Sequence, residues 1–287
     1  MASYGRQHYI PVFLLKQWHS APDDRLTQYR WLNGNLVMER KRAKYVGHAS
    51  HTYSLLSKPQ PDPYIERDYF GRLIDDPAAI IHRRLLQPGI RECSSAEASQ
   101  WTRFIVSLMV RAPEIIAFGR SASARRISQY ERMTAEEIAG IGGAGLDSEL
   151  RRLARELSDT EKGDMLIKAL PRVLETPIFV DAVNNKHWFV RDVSSVEIDL
   201  LIGDQPLCAD DKLSACRILY LPLSPNRIFF ATSDPKRMKR IDAMSKRELV
   251  MAINRDTVSK ASRYVWGTCG RHEPLVKKFL KAPSRPD

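Results

Sequence analysis

The chain has 287 residues, 43% of them hydrophobic and 28% charged, a balance that excludes a disordered or fibrous protein. Its longest apolar runs, such as FIVSLMV at 104–110, fall far short of the roughly 18 residues a bilayer span needs. The first residues lack the charged-then-apolar order of a signal peptide, so a cytoplasmic protein without a membrane partner is expected. The net charge of +11 favours polyanionic partners, nucleic acid above all, because each neutralised phosphate releases counterions.

In chain order, the first element is RQHYIPVFLLKQWH, residues 6–19. Pro11 suits the start of a helix, where a missing amide costs nothing. Val12, Phe13, Leu15 and Trp18 then make its apolar surface. RLTQYRWLNGNLVMER (25–40) reads as a hairpin around Asn33-Gly34, since both central positions of a type I′ turn need positive φ. A basic run, RKRAK (40–44), and a short strand in HTYSL (51–55) come next, followed by a proline-rich connector at 57–63.

Beyond the connector, Ile65, Tyr69, Leu73 and Ile80 fall on one α-helical stripe, with a bend before Pro77. The segment from Ser94 to Arg120 opens with a serine cap and acidic first turn. Its Trp101, Phe104, Ile105, Leu108 and Met109 form a wide apolar face suited to the core. Helices continue to about Leu174, interrupted by a glycine-rich loop at 140–148 that lacks the Lys-Ser/Thr of a phosphate loop. From residue 187, HWFVRDV, VEIDLLIGD, RILYLPLSP and RIFFATS read as strands, and a covering helix is expected over 245–267. The class is therefore α+β: an N-terminal hairpin, a central helical region and a C-terminal antiparallel or mixed sheet with a covering helix. Segments 1–60, 61–180 and 181–287 are expected to merge into one globular domain.

The order of several short motifs resembles a bacterial family known only as domain of unknown function 4238. The resemblance rests on QHYIPVFLL near the start, Thr52-Tyr53, Ile65-Glu66, VRAPE with Arg111 and Pro113, IGDQPL with Asp204 and Pro206, LPLSP, and Asn254 followed by Arg263-Tyr264. It covers about residues 7–267. A second helical acid of the family corresponds to Asp75, and the family's Ser-Asp-Asn is Gly203-Asp204-Gln205 here. The resemblance implies a fold and an ordered set of polar residues, with no activity attached.

Those polar residues set the candidate chemistry. His8 titrates near neutrality and can move protons or bind metal, or cap backbone groups with Tyr9. Asp204 closes an apolar strand, where a sheet fixes a carboxylate as metal ligand or base, or bonds its own turn. Arg111 ends an apolar helix and must meet a carboxylate or a ligand phosphate. Glu66 and Asn254 complete the set. His48, His51 and His187 have no metal spacing, and His48 with His51 reads as a solvated loop. Cys93, Cys208, Cys216 and Cys269 have none either and read as reduced thiols.

Two readings follow. The first is a phosphodiester-cleaving hydrolase of bacterial defence or toxin type, with His8 as acid/base, Asp204 (with His8) holding magnesium or manganese, and Arg111 stabilising phosphate charge. The second is a non-catalytic nucleic-acid or protein-binding module whose basic segments contact phosphates. Those segments are Arg40, Lys41, Arg42 and Lys44; Arg125 and Arg126; and Lys236, Arg237, Lys239 and Arg240.

Overall fold

A computed structural model describes residues 5–63, 65–87, 93–211 and 216–282. The chain opens with strand β1 (Arg6–His8) and a single helical turn, α1 (Val12–Leu15), for which Pro11 is the N-cap residue. The hairpin strands β2 (Leu26–Leu32) and β3 (Asn35–Lys41) follow. Asn33 at φ 50° and Gly34 at φ 79° make the left-handed turn the sequence demands. Strand β4 is His48–Ser50, just ahead of the HTYSL stretch where a strand was expected, and it pairs with β1.

A π-helical stretch, Ile65–Asp75, runs directly into α2 (Asp76–Leu85). The α-helical stripe expected there holds in its first half and fails in its second: Ile65 and Tyr69 are buried, but Leu73 and Ile80 are exposed, and Phe70, Ile74, Ala78 and Ile81 are buried instead. A π turn takes in an extra residue, and after Tyr69 the buried positions run one residue later, at Phe70 and Ile74 in place of Leu73. Helix α3 (Ser95–Val110) opens on a capping box between Ser94 and Glu97. Then come α4 (Pro113–Gln129), α5 (Ala135–Ile138), α6 (Asp147–Glu156), α7 (Asp159–Leu174) and α8 (Pro177–Asn184). Strands β5 (His187–Asp192), β6 (Ile202–Gly203), β7 (Cys208–Ala209), β8 (Ile218–Ser224) and β9 (Arg227–Thr232) make up most of the later sheet region. Helices α9 (Pro235–Ala243) and α10 (Lys246–Lys260), strand β10 (Val265–Gly267) and helix α11 (Glu273–Phe279) complete the order. The α+β class is as expected. The covering helix, however, stops at Lys260, and the remainder of the expected helix becomes a turn and β10.

Two compact units emerge, each built from separated stretches of chain. The first comprises Met1–Gln7, Ala49–Gly71 and Pro113–Val173 and is mainly helical. Its interior includes Ile116, Ile127, Ile138, Ile167 and Leu170, with Tyr53 and Phe70 ring to ring at 4.9 Å.

The second unit comprises His8–His48, Arg72–Ala112 and Leu174–Asp287. It holds two antiparallel four-stranded sheets, ordered β3-β2-β10-β6 and β5-β9-β8-β7. The N-terminal hairpin is thus completed by strands from the far end of the chain. Helix α10 serves both sheets. Its Leu249, Val250 and Ile253 pack with Ile228 and Phe230 of β9, and its Val258 packs with Tyr29 and Val265. Each such buried aliphatic contributes roughly 1.5–3 kcal/mol. Helix α3 is central to the same unit, as its apolar face requires. Trp101 meets Phe229 edge-on at 5.7 Å, and Phe104 lies 5.5 Å from Phe13. All four cysteines are free thiols.

Candidate functional site

The opening motif spends most of its residues on anchorage. Gln7 is buried, accepts from the Tyr53 N–H at 2.6 Å and donates to Ser54 Oγ at 2.9 Å. The N–H groups of Tyr9 and Ile10 both donate to the Gly47 carbonyl, at 3.0 and 3.2 Å. Gly47 sits at φ +63°, and a Cβ there would lie 2.7 Å from Leu15 Cδ1, so only glycine lets the chain pass.

Between these anchors stands His8, half-buried. Its ring meets that of His48 edge-on, with centroids 5.4 Å apart and planes 72° apart. The two histidines belong to the paired strands β1 and β4. The spacing of His48 and His51 suggests a solvated loop, but His48 lies in β4 as the neighbour of His8. Imidazole is the side chain best suited to acid/base work, and here two stand ring to ring.

Asp204 and Asn254 come together on one segment of chain. Past Lys260 the backbone turns so that the N–H groups of Ser262, Arg263 and Tyr264 converge. The Asp204 carboxylate accepts all three, at 2.8, 2.7 and 3.0 Å, and its own N–H donates to the Tyr264 carbonyl. Successive amides in this arrangement form an anion-binding nest, and here the protein fills it with its own carboxylate. Asn254, buried in α10, accepts from the Leu201 N–H and donates to the Asp199 carbonyl, both at 2.8 Å. Trp18 donates to the Leu200 carbonyl between them at 2.7 Å. These side-chain bonds explain why only Ile202–Gly203 of the expected VEIDLLIGD strand pairs as a strand.

Arg111, the C-cap residue of α3, meets a carboxylate. Its two terminal nitrogens donate to the Asp75 oxygens at 3.0 and 2.7 Å, and its side chain is almost completely buried. Burial raises the Asp75 carboxyl above its ordinary value despite the opposing pull of the Arg111 guanidinium. Close by in sequence, His82 is buried and donates from Nε2 to the Leu223 carbonyl at 2.9 Å. Desolvation holds its pKa down at about 4. Glu66 lies in the π-helical stretch of the first unit, whereas His8, Arg111, Asp204 and Asn254 belong to the second.

The basic residues divide into structural and solvent-facing groups. Arg40 ties down the loop before β2 through Ser20, Thr27, the Thr268 carbonyl and Asp23. Lys41 pairs with Glu39 at 3.1 Å, and Arg237 pairs with Asp210. Arg42, Lys44, Arg125, Arg126, Lys236, Lys239 and Arg240 are exposed. Lys44 lies over the Tyr45 ring and Arg126 over that of Tyr130, at 4.9 and 5.6 Å.

Among the described residues, no three or more His, Cys, Asp or Glu side chains group so that they could hold a metal. Three of the roughly four lone-pair positions of Asp204 are taken by backbone amides, which leaves little for a cation. No helix among the described residues is long and apolar enough to cross a membrane.

No curated protein sequence and no solved structure matches the chain. One family model does, under the description "Protein of unknown function (DUF4238)", and it spans residues 6–268. The match takes in the His8–His48 pair, the Arg111–Asp75 pair and the Asp204–Asn254 clamp alike, and the chain belongs to that family.

Proposed function

We propose that the protein is a phosphodiester-cleaving hydrolase that acts on nucleic acid, with His8 and His48 as its acid/base pair. The observation that carries this reading is the edge-on contact of the two half-buried rings on adjoining strands. In such a pair the neutral imidazole takes the proton of an attacking hydroxyl or water as the new P–O bond forms. The imidazolium gives its proton to the oxygen that leaves as the old P–O bond breaks. Proton count and charge balance over the step, and the basic exterior draws in the polyanion. A divalent ion such as magnesium or manganese would neutralise phosphate charge if bound, and the histidine pair performs its proton transfers either way. The test is degradation of single-stranded RNA and DNA by purified protein, with and without magnesium or manganese, set against His8→Ala and His48→Ala.

A second reading, a non-catalytic module that contacts phosphates, draws support from the commitments of the other polar residues. Asp204 and Asn254 hold backbone, and Arg111 holds Asp75. It predicts salt-dependent binding of nucleic acid without cleavage, unaffected by His8→Ala.

A further inference from the structure

The helical first unit contains a hollow of about 760 Å³ between α4 and the start of α7. Arg120, Ser121, Ala124, Arg125, Ser128 and Gln129 line it from one side, at the i, i+1, i+4, i+5 spacing of a single helical face. Arg132 follows just past α4, and Thr160 and Gly163 face it from the first turns of α7. Small residues bring the two helices close. A Cβ on Gly119 would lie 2.6 Å from Leu166 Cδ2, and one on Gly163 would lie 3.4 Å from Arg120 Cβ.

The wall is fixed and the rim is available. Arg120 bonds the Ser54 carbonyl and the buried Asp164, which also accepts the N–H groups of Leu56 and Ser57 at 3.1 and 2.8 Å. Burial works to raise the Asp164 carboxyl, but these bonds outweigh it and hold the group below its usual range. Lys162 donates to Ser128 Oγ at 2.9 Å, which leaves that hydroxyl's own proton to donate outward. The two acids at the rim are engaged: Glu131 with Arg155 at 3.5 Å, and Asp159 with Lys162 at 3.9 Å. Arg125 and Arg132 are exposed and form no ion pair among the described residues.

We infer that this hollow binds the phosphodiester backbone of a single nucleic-acid strand, with Arg125 and Arg132 on separate phosphates and the Ser128 and Thr160 hydroxyls donating to phosphate oxygens. Two unengaged guanidiniums on different elements suit successive phosphates of a chain better than one small anion, and guanidinium geometry matches phosphate oxygens. This site deepens the proposed function by naming where substrate is held, and its evidence is independent of the histidine pair.

The experiment measures anisotropy of a fluorescein-labelled single-stranded RNA of roughly 12 nucleotides, a length that covers one such site. The full chain carries His8→Ala and the buffer contains chelator, so binding is read without cleavage. Arg125→Glu with Arg132→Glu is expected to weaken binding by about tenfold or more and to flatten the log–log salt slope by about 1.4, the value for two lost single-strand contacts. Arg125→Gln with Arg132→Gln should move both readouts in the same direction and serves if the reversed pair fails to fold. Unchanged affinity and slope would overturn the inference. So would no RNA binding at about 50 mM salt, or binding only to phosphatidylserine vesicles. RNA binding that behaves as expected, together with no cleavage by the wild-type protein, would count against the histidine chemistry alone.

Discussion

Asp204 and Asn254 hold opposite ends of one short segment. Asn254 bonds the backbone at Asp199 and Leu201, and Asp204 gathers the amides of residues 262–264 onto the segment's far end. The pair joins β6, the end of α10 and the start of β10, so the β3-β2-β10-β6 sheet and its link to α10 depend on it. Asp204→Ala would leave three converging N–H groups without their acceptor and should cost about 3 kcal/mol. Chemical denaturation checks this, and wild-type stability in Asp204→Ala would refute the clamp.

The Arg111–Asp75 pair should behave as one unit. Arg111→Ala leaves the half-buried Asp75 carboxylate without its partner and should destabilise by about 3 kcal/mol. Arg111→Met combined with Asp75→Leu should lose much less than the two single changes added together, with a coupling of about 2 kcal/mol. Additive losses in that cycle would mean that the two charges act separately.

His82 makes stability depend on pH. Unfolded, it takes up a proton below its ordinary 6.5; folded, desolvation delays this to about 4. Between those values the unfolded chain holds more protons, so stability is full above 6.5 and falls as the pH drops toward 4, by about 3 kcal/mol from this group. His82→Gln keeps an N–H donor for the Leu223 carbonyl but cannot titrate. Its denaturation free energy should decline less than the wild type's over that window. His272, whose pKa burial also lowers, contributes a residual slope of the same sign.

Gly47 positions the histidine pair. Its left-handed φ and the 2.7 Å approach to Leu15 leave no room for a side chain. Gly47→Ala should cost about 1–2 kcal/mol. Because Gly47 adjoins His48, the change should also alter the titration of His8 and His48 seen by NMR. Unchanged imidazole titration curves would show that this turn does not set the pair.

Much of the architecture could be read from local pattern. The Asn33-Gly34 turn, the alternating strands at 187–192, 218–224 and 227–232, and the capped, apolar-faced α3 all form where their own residues favour them. The features that local pattern does not encode depend on distant partners. The helix expected to reach residue 267 ends at Lys260 because Asp204 captures its exit amides, and because Val265–Gly267 finds strand partners in β2 and β6. The π winding at 65–75 moves the buried stripe one residue on after Tyr69, from Leu73 to Ile74. Asp75 as the carboxylate for Arg111 could be anticipated from chemistry, since a buried guanidinium needs a carboxylate or a phosphate. His48 beside His8 could not, because no local pattern encodes the pairing of β1 with β4.

The most direct test is cleavage of single-stranded RNA by the wild-type protein, His8→Ala and His48→Ala, followed across pH 5 to 9. The account predicts wild-type cleavage with a bell-shaped pH profile, as two coupled imidazoles require, and loss of activity in both variants while their denaturation curves stay near wild type. Undiminished cleavage in either variant, or none by the wild type with or without magnesium or manganese, would contradict it.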